Sequence, residues 1–410
     1  MARASTGGTA YWRLNGRAFC LVIAIFLILI PYASASKQYH ATALTSIKQG
    51  GGRVDWSPSG DLIAFDKFGT DGYTDVYTMR PDGSGEVCLT CDHPNLPNKH
   101  MGNPAWHPSE EYIVFQAEKA NHPGTSDWAE PGIGQYNDLW VLELATSEAT
   151  RIRELPNLPD YGTLHPHFSH DGLLLSWSEM YEGADFNVIG QEFGYWRLRI
   201  ADFVATPTPR FENIREWEPA GSPAFYENHG FTPDDRALIF SRGPLTSDTV
   251  HGWSNMDIVR ADLITDLAMP LTDTGYNEHG IVSPDGSKIV WMTSNDVRSG
   301  TELWLMDADG SNKERLTCMT TRGHPHFVAR NAIAADSTWS PDQDQIAVKV
   351  QAGGIEDVQI IVVDIAEGPG DGCRVSSSGG CLLLLFLVAI VVLVVLAVAL
   401  ATRRRSQHPR

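Results

Sequence analysis

The sequence lacks the short motifs that mark several common hydrolase classes. It contains no G-x-S-x-G, the turn that exposes a nucleophilic serine, and no H-E-x-x-H, the zinc-binding pair of metalloproteases. It also has no N-x-S/T sequon, so N-glycosylation at the usual site is excluded. Serine-hydrolase and zinc-protease chemistry of these kinds is therefore not expected.

Positive charge is scarce away from the two ends of the chain. The sequence carries 31 Lys and Arg against 50 Asp and Glu, a formal net charge of −19. Seven arginines flank two apolar runs: Arg3, Arg13, Arg17, Arg403, Arg404, Arg405 and Arg410. Without them 24 Lys and Arg face 50 Asp and Glu, which leaves the rest of the chain at −26. Nucleic-acid binding needs a basic face, so we expect no nucleic-acid partner.

The two longest apolar runs predict a membrane protein. Residues 18–30 follow arginines and precede the small residues Ala33-Ser34-Ala35, which favours a signal peptide over residues 1–35, with an uncleaved anchor as the alternative. Residues 381–401 are uninterruptedly apolar and precede three arginines, which predicts one transmembrane helix and a cytoplasmic tail at 402–410. The expected topology is single-pass type I, with the middle of the chain lumenal or extracellular.

Cysteine is also sparse, with six in the whole chain. Cys20 and Cys381 lie in the apolar runs, so four remain for an oxidising compartment, and their spacing does not choose among three pairings: Cys88, Cys91, Cys318 and Cys373. The first two have CxxC spacing on a predicted strand, GEVCLTC. Residues three apart on a strand face opposite sides, which disfavours a redox or zinc role.

What the sequence does contain is a long repeat. Its clearest copy, Tyr276–Thr317, reads as four short β-strands separated by the turn sequences SPDG and DADG. Six copies follow one another, each marked by an anchor residue before a Ser-Pro-type turn: Trp56, Trp106, Phe168, Phe231, Val282 and Trp339. Four strands per repeat predict an all-β, six-bladed β-propeller over residues 36–367.

The segments at the two ends of the predicted propeller are expected to close the ring and to connect it to the membrane. The sixth repeat has three strands, and His40–Ser46 resembles the missing fourth, so we expect this segment to pair with blade six and close the ring. A disordered leader is the alternative for the same segment. Residues 368–380, GPGDGCRVSSSGG, are expected to be a flexible tether to the membrane.

The repeat resembles that of the TolB-type six-bladed β-propellers. The shared pattern is an aromatic residue with SPDG, an apolar strand, a strand such as ELWLM followed by a DG turn, and a final strand such as ERLT. It covers about residues 40–366 and is strongest in the first and fifth copies. The resemblance implies the fold and leaves the function open, since this ring serves binding proteins, peptidases and lyases.

Channel-lining residues follow from counting along the first strand of each blade. Three positions before the anchor the residue is polar in all six copies: Arg53, Asn103, His165, Asn228, His279 and Asp336. Side chains alternate along a strand, so we expect these six to face a polar central channel, with His229 and Glu278 beside them.

Histidines are concentrated near these positions and suggest a metal. Six are expected to converge at one end of the channel: His165, His167, His229, His279, His324 and His326. Imidazoles with the carboxylates of Glu227, Glu278 and Asp336 suit a divalent ion, Mn²⁺ or Ca²⁺.

The order of four of these histidines resembles the metal ligands of oligogalacturonate lyases, propellers that hold manganese with single histidines and an H-x-H pair. The resemblance implies the ligands His229, His279, His324 and His326. Two departures stand: that family has more blades, and no glutamine precedes the pair here. No residue is assigned as catalytic base.

Two function hypotheses follow. The first is a membrane-anchored binding module that captures a protein or glycan at the channel mouth or at the insertions Glu118–Gln135 and Tyr181–Gly194, which otherwise pack as ordinary loops. The second is a metal-dependent lyase acting on an acidic oligosaccharide. The negative net charge disfavours an anionic substrate unless a metal with Arg53 or Arg322 offsets it locally.

Overall fold

The computed structural model describes residues 37–374, apart from 186–190, 192, 244–246, 249–252, 296, 298 and 355–356. The chain divides into Met1–Lys37 and Gln38–Arg410, and all described strands belong to the second unit. The predicted signal peptide, transmembrane helix and cytoplasmic tail lie outside the described residues. Within them the helix present is the 3-10 helix Ser126–Trp128, and no helix there is long and apolar enough to span a bilayer.

Twenty-six strands are described, in chain order. The first thirteen are β1 (Tyr39–Gln49), β2 (Gly51–Trp56), β3 (Ile63–Phe68), β4 (Thr74–Met79), β5 (Val87–Cys88), β6 (Met101–Trp106), β7 (Tyr112–Glu118), β8 (Asn137–Glu143), β9 (Glu148–Arg153), β10 (Gly162–Phe168), β11 (Leu174–Glu182), β12 (Tyr195–Val204) and β13 (Arg210–Trp217). The others are β14 (Phe225–Phe231), β15 (Ala237–Gly243), β16 (Ser247–Asp248), β17 (Trp253–Ser254), β18 (Asp257–Asp262), β19 (Ala268–Pro270), β20 (Asn277–Val282), β21 (Lys288–Thr293), β22 (Glu302–Asp307), β23 (Glu314–Arg315), β24 (Ile333–Trp339), β25 (Gln345–Gln351) and β26 (Val358–Glu367).

These strands form six antiparallel four-stranded sheets, which confirms the predicted all-β six-bladed propeller. The strand orders are β2-β3-β4-β5, β6-β7-β8-β9, β10-β11-β12-β13, β14-β15-β18-β19, β20-β21-β22-β23 and β24-β25-β26-β1. A separate hairpin, β16-β17, lies within the fourth repeat. The first strand named for each sheet is innermost, because all six of these strands contribute residues to one central cavity.

The turn after each innermost strand has the same conformation in every blade. The fourth residue after the anchor has a positive φ, between 54° and 83°, and its N–H donates to the carbonyl three residues earlier: Gly60, Glu110, Gly172, Asp235, Gly286 and Gln343. Glycine adopts this conformation without strain, which explains the G of SPDG. The three other residues also contact the preceding blade, since side-chain oxygens of Glu110, Asp235 and Gln343 accept from the N–H groups of Ser59, Asp171 and Asp285.

The ring closes through the N-terminal strand. β1 pairs antiparallel with β26 from Tyr39 opposite Glu367 to Gln49 opposite Gln359, so it is the outermost strand of blade six. The segment predicted from the sequence to close the ring, His40–Ser46, lies within β1. Apolar side chains from β22, β25 and β26 fill the space between blades five and six, among them Leu303, Leu305, Val348, Val350, Ile361 and Val363.

The four remaining cysteines form two disulfides, Cys88–Cys91 and Cys318–Cys373. The expectation that Cys88 and Cys91 face opposite sides of one strand was wrong. β5 ends at Cys88 and the chain then turns, so both sulfurs lie on the same side.

The first part of the predicted tether is held against the propeller. The Gly368 N–H donates to the Gln38 carbonyl at 2.8 Å, and Cys373 is bonded to Cys318 beyond blade five. The described residues 368–373 are therefore not a free linker.

Candidate functional site

A β-bulge interrupts each of the six innermost strands at nearly the same place. The residues without a partner in the register are Gly52 and Arg53, Asn103 and Pro104, His165 and Pro166, His229 and Gly230, His279 and Gly280, and Asp336. Four of them have positive φ without being glycine: Asn103, His165, His279 and Asp336. Such bulges redirect side chains, and non-glycine residues in this conformation concentrate at functional sites.

The redirected side chains surround a cavity of about 30 Å³ on the ring axis. All six blades contribute to its wall, through Arg53, Asn103, His165, His229, His279 and Asp336. The volume is close to that of one water molecule or one ion. Five of the six residues predicted to face the channel therefore do so.

Blade four departs from the count. Asn228 is fully buried and does not line the cavity; its amide donates to the His165 carbonyl at 2.8 Å and so links blades three and four. The bulge of blade four lies one residue later than expected, with the positive φ at Gly230. His229 consequently takes the place predicted for Asn228.

Three histidines and a glutamate lie together at this centre. The ring centroids of His165, His229 and His279 are 5.3 to 6.0 Å apart. The Nε2 atom of His165 lies 2.9 Å from Oε1 of Glu227. His229 Nε2 accepts the His279 N–H at 3.2 Å and contacts the Ser241 hydroxyl at 2.6 Å, so its position fixes the backbone of His279.

Glu278 does not line the small cavity. Its carboxylate accepts a 2.5 Å hydrogen bond from the Tyr276 hydroxyl and lies 3.7 Å from the His279 ring.

Two half-buried cations, Arg53 and Lys349, complete the centre, and sequence reasoning missed Lys349. The Lys349 ammonium lies 3.3 Å from Asp336, and Arg53 lies between Asp336 and Asp66 at 3.9 and 3.8 Å. Lys349 and Asp66 belong to the second strands of their blades, whereas the count of channel residues followed the first strands. The sequence feature that could have identified Lys349 and Asp66 is a charged residue within an otherwise apolar strand, as in IAVKV and IAFDKF.

Burial sets the ionisation of these groups. It raises the pKa of Glu278 well above its ordinary value, and the charges of Glu227 and Asp336 add to this effect. Burial opposes ionisation of Glu227 as well, but His279 and His165 outweigh it and hold its pKa at about 2. Burial also lowers the pKa of His279 and of His229, so both are neutral. Neutral imidazoles beside an ionised carboxylate are the protonation states that metal ligands require.

The blade-two insertion, Glu118–Gln135, reaches this centre. The Pro131 carbonyl accepts hydrogen bonds from the amides of Asn103 at 2.7 Å and Gln116 at 3.1 Å. The other insertion, Tyr181–Gly194, is described only in part. Residues of both line an apolar pocket of about 240 Å³ that includes Trp128, Ile133 and Phe193.

A larger cavity of about 360 Å³ adjoins the small one. Val54, His167, His229, Ile281 and Ser337 line both. The rest of its wall is made by the anchors and the prolines of the repeated turns, among them Trp56, Trp106, Trp339, Pro58, Pro108, Pro284 and Pro341. We call this cavity the funnel.

His324 and His326 lie elsewhere, in the connection between blades five and six. His324 Nε2 is 3.0 Å from the Asp371 carboxylate, and the two rings are 4.6 Å apart. Neither lines the small cavity, and their neighbours are the Cys318–Cys373 disulfide and residue Thr42 of the outer strand β1. The structure therefore brings His229 and His279 together with His165, and not with the H-x-H pair.

Three groups among the described residues have the spacing of metal ligands: His165, Glu227 and His279; Cys318, His324 and His326; and Asp75, Cys88 and Cys91. The last two include cysteines engaged in disulfides, which are not available as thiolates. The first keeps all three ligand atoms, within 4.8 Å of one another.

No family model matches the chain, and no curated protein matches it in sequence. Among solved structures it is similar to TolB from Acinetobacter baumannii, at 16% identity over 77% of this chain and 63% of that one, with a TM-score of 0.45. It is also similar to an oligogalacturonate lyase in complex with manganese, at 14% identity over 81% of this chain and 97% of that one, with a TM-score of 0.47. This chain thus spans less than two thirds of that TolB, and the likeness concerns the fold alone.

Proposed function

We propose that this protein is a membrane-anchored, lumenal or extracellular β-propeller that binds a protein or glycan ligand at the funnel. The observation that carries the proposal is the funnel itself, about 360 Å³ in volume and lined by aromatic rings and prolines. Ligand pockets of this size bury a side chain or a sugar ring against apolar walls, and a few polar groups fix the orientation. Asp55, His167, His170 and Thr338 supply such groups here.

The anchoring rests on the sequence at residues 1–35 and 381–401. Its test is protease protection of the full-length chain in membrane vesicles. A type I topology leaves the propeller cleavable from the lumenal or extracellular side only, and cleavage from the cytoplasmic side would contradict it.

Ligand binding is tested with the purified full-length chain on arrays of neutral and acidic glycans and of peptides. A variant with Pro284→Arg and Pro341→Arg places two bulky cations at the funnel wall. We expect it to lose at least about tenfold in affinity for a ligand that enters there.

The matched control is Ile264→Arg, at a residue that is 80% exposed on the outer hairpin of blade four. This variant should bind as the wild type does. A ligand held equally by the wild type and by the Pro284→Arg, Pro341→Arg variant, or an absence of binding on every array, would overturn the assignment.

A metal-dependent lyase acting on an acidic oligosaccharide is the second candidate, and the group His165, Glu227 and His279 favours it. Two features oppose it. The cavity beside this group, about 30 Å³, is too small for a sugar ring, and Arg53 already lies between two carboxylates. Elimination creates a carbon–carbon double bond, so ultraviolet absorbance of oligogalacturonate treated with metal-loaded protein is the test, and no increase in absorbance contradicts lyase activity.

A further inference from the structure

We propose that His165, Glu227 and His279 bind one divalent ion, Zn²⁺ by preference, at the centre of the ring. This set differs from the ligands that the lyase resemblance implied, because it includes Glu227 and His165 and excludes the H-x-H pair. It stands independently of ligand binding at the funnel, and it would hold whether or not the protein is a lyase.

The ligand atoms are preassembled and shielded from solvent. One atom from each of the three residues lies within 4.8 Å of the others, and His165 and Glu227 are 7% and 5% exposed. An ion about 2.1 Å from each of three ligand atoms requires them to be roughly 3 to 4 Å apart, so small side-chain adjustments suffice.

Glu227 has a free acceptor in this environment. Its Oε1 atom contacts His165, while Oε2 is buried and makes no hydrogen bond. A buried carboxylate oxygen without a partner destabilises the folded state, and a bound cation would remove that cost.

The local charge leaves room for a cation. Arg53 and Lys349 are balanced by Asp66 and Asp336, which lie within 3.9 Å of them. Glu227 has no lysine or arginine beside it among the described residues, and the side chains that contact its carboxylate are the imidazoles of His165 and His229. A buried carboxylate that has no cationic partner and lies beside two imidazoles therefore favours the binding of a divalent ion.

Neighbouring groups hold the histidine ligands in place. Asp336 lies 3.3 Å from Nδ1 of His279, and His229 accepts the His279 N–H. Carboxylates that orient ligating histidines in this way are a regular feature of metal sites. His229 is accordingly a positioning residue.

The donor set selects among ions. Calcium prefers six to eight oxygen ligands, so two imidazoles disfavour it. Two histidines and one glutamate are a common zinc set that leaves a fourth position open, and zinc exceeds manganese in affinity for such sites. The adjoining cavity of about 30 Å³ has the volume for a water molecule as the fourth ligand.

The experiment measures metal content and affinity of the purified full-length chain. Protein treated with chelator and desalted is loaded with Zn²⁺, and bound metal is quantified by mass spectrometry and titration calorimetry, with Mn²⁺ and Ca²⁺ in parallel. We expect about one Zn²⁺ per chain, and Co²⁺ in its place should give the visible absorption of a four-coordinate site.

Glu227→Gln keeps the size of the side chain and removes the charge. It should weaken Zn²⁺ binding at least about a hundredfold while circular dichroism shows the fold intact. The matched control is the double variant His324→Ala, His326→Ala, which should keep the ion. No stoichiometric Zn²⁺ in the wild type, retention in Glu227→Gln, or loss in the double control would each overturn the proposal.

Discussion

The channel centre (His165, Glu227, His229, His279 and Asp336) and the outer clamp (Cys318, His324, His326, Asp371 and Cys373) both bring histidines together, but by different routes. The channel histidines come from equivalent positions on three successive blades, 50 to 64 residues apart in sequence. The clamp histidines are neighbours in one connection, tied by a disulfide and by Asp371. The repeat therefore builds the channel, whereas a local loop builds the clamp.

The difference extends to burial. Asp336 is 7% exposed in its side chain and faces two cations, whereas Asp371 is 59% exposed. A charge in the channel is therefore costly to leave unpaired, and a charge in the clamp is well solvated.

The largest expected effect concerns Asp336. Asp336→Asn removes the buried carboxylate that pairs with the half-buried Lys349 and should destabilise the protein by about 3–5 kcal/mol, measured by urea unfolding. The clamp equivalent, Asp371→Asn, removes the charge of a carboxylate that is 59% exposed and should cost at most about 1 kcal/mol. Equal losses of unfolding free energy in the channel variant and the clamp variant would contradict the expected difference between a buried and a solvated carboxylate.

The second effect concerns the disulfide of the clamp. Cys318 and Cys373 are separated by 55 residues, so replacing both with serine should cost about 4 kcal/mol by the entropy of loop closure. The matched control replaces Cys88 and Cys91, which are separated by 3 residues, and should cost about 2 kcal/mol. Thermal unfolding of both double variants gives the ranking. A larger cost for the short loop would mean that the clamp does not restrain the chain.

The smallest effect is the dependence of stability on pH, measured in chelator. Burial lowers the pKa of His167 to about 3 and lowers that of His229, whereas the unfolded histidines titrate near 6.5. The unfolded state thus binds more protons below pH 6.5, so stability falls as the pH falls through this range, by up to about 1.4 kcal/mol per pH unit for each histidine.

The clamp should contribute to this dependence only in stronger acid. The hydrogen bond with His324 lowers the pKa of Asp371 below its ordinary 3.8, so its contribution is lost only below that pH. Unfolding in urea between about pH 7.5 and 5.5 should therefore show a slope that His167→Gln reduces and Asp371→Asn leaves unchanged. A pH dependence of the unfolding free energy that Asp371→Asn reduces and His167→Gln leaves unchanged would contradict the assignment to the channel histidines.

The sequence predicted most of the fold and part of the site because both follow the repeat. Anchors and turns placed six blades, and one count along the first strands identified a residue that lines the cavity in five of the six blades. The prediction failed in blade four because the bulge there lies one residue later, with the positive φ at Gly230. Nothing in the repeat indicates that shift. Lys349 was not predicted because it lies on a second strand, yet its side chain contacts Asp336 at the channel.

The clamp shows what periodicity does not determine. The pair His324 and His326 was expected in the channel on its order along the chain, but a connection between blades has no fixed direction. The disulfide partner of Cys318 was equally undetermined, since it lies beyond the last blade and its approach depends on how residues 368–373 fold back.

The pairing of β1 with β26 has a consequence for how the chain is made. A ribosome releases β1 first, yet its partner β26 ends at Glu367, so this strand waits for more than three hundred residues to be synthesised. Blades that pair within their own repeat can form as they emerge, while the sixth cannot be completed until near the end. Eleven residues with unsatisfied backbone groups must remain unaggregated throughout that interval. The pairing that closes the ring therefore requires synthesis to have passed β26, and a truncation before β26 removes the strand with which β1 pairs.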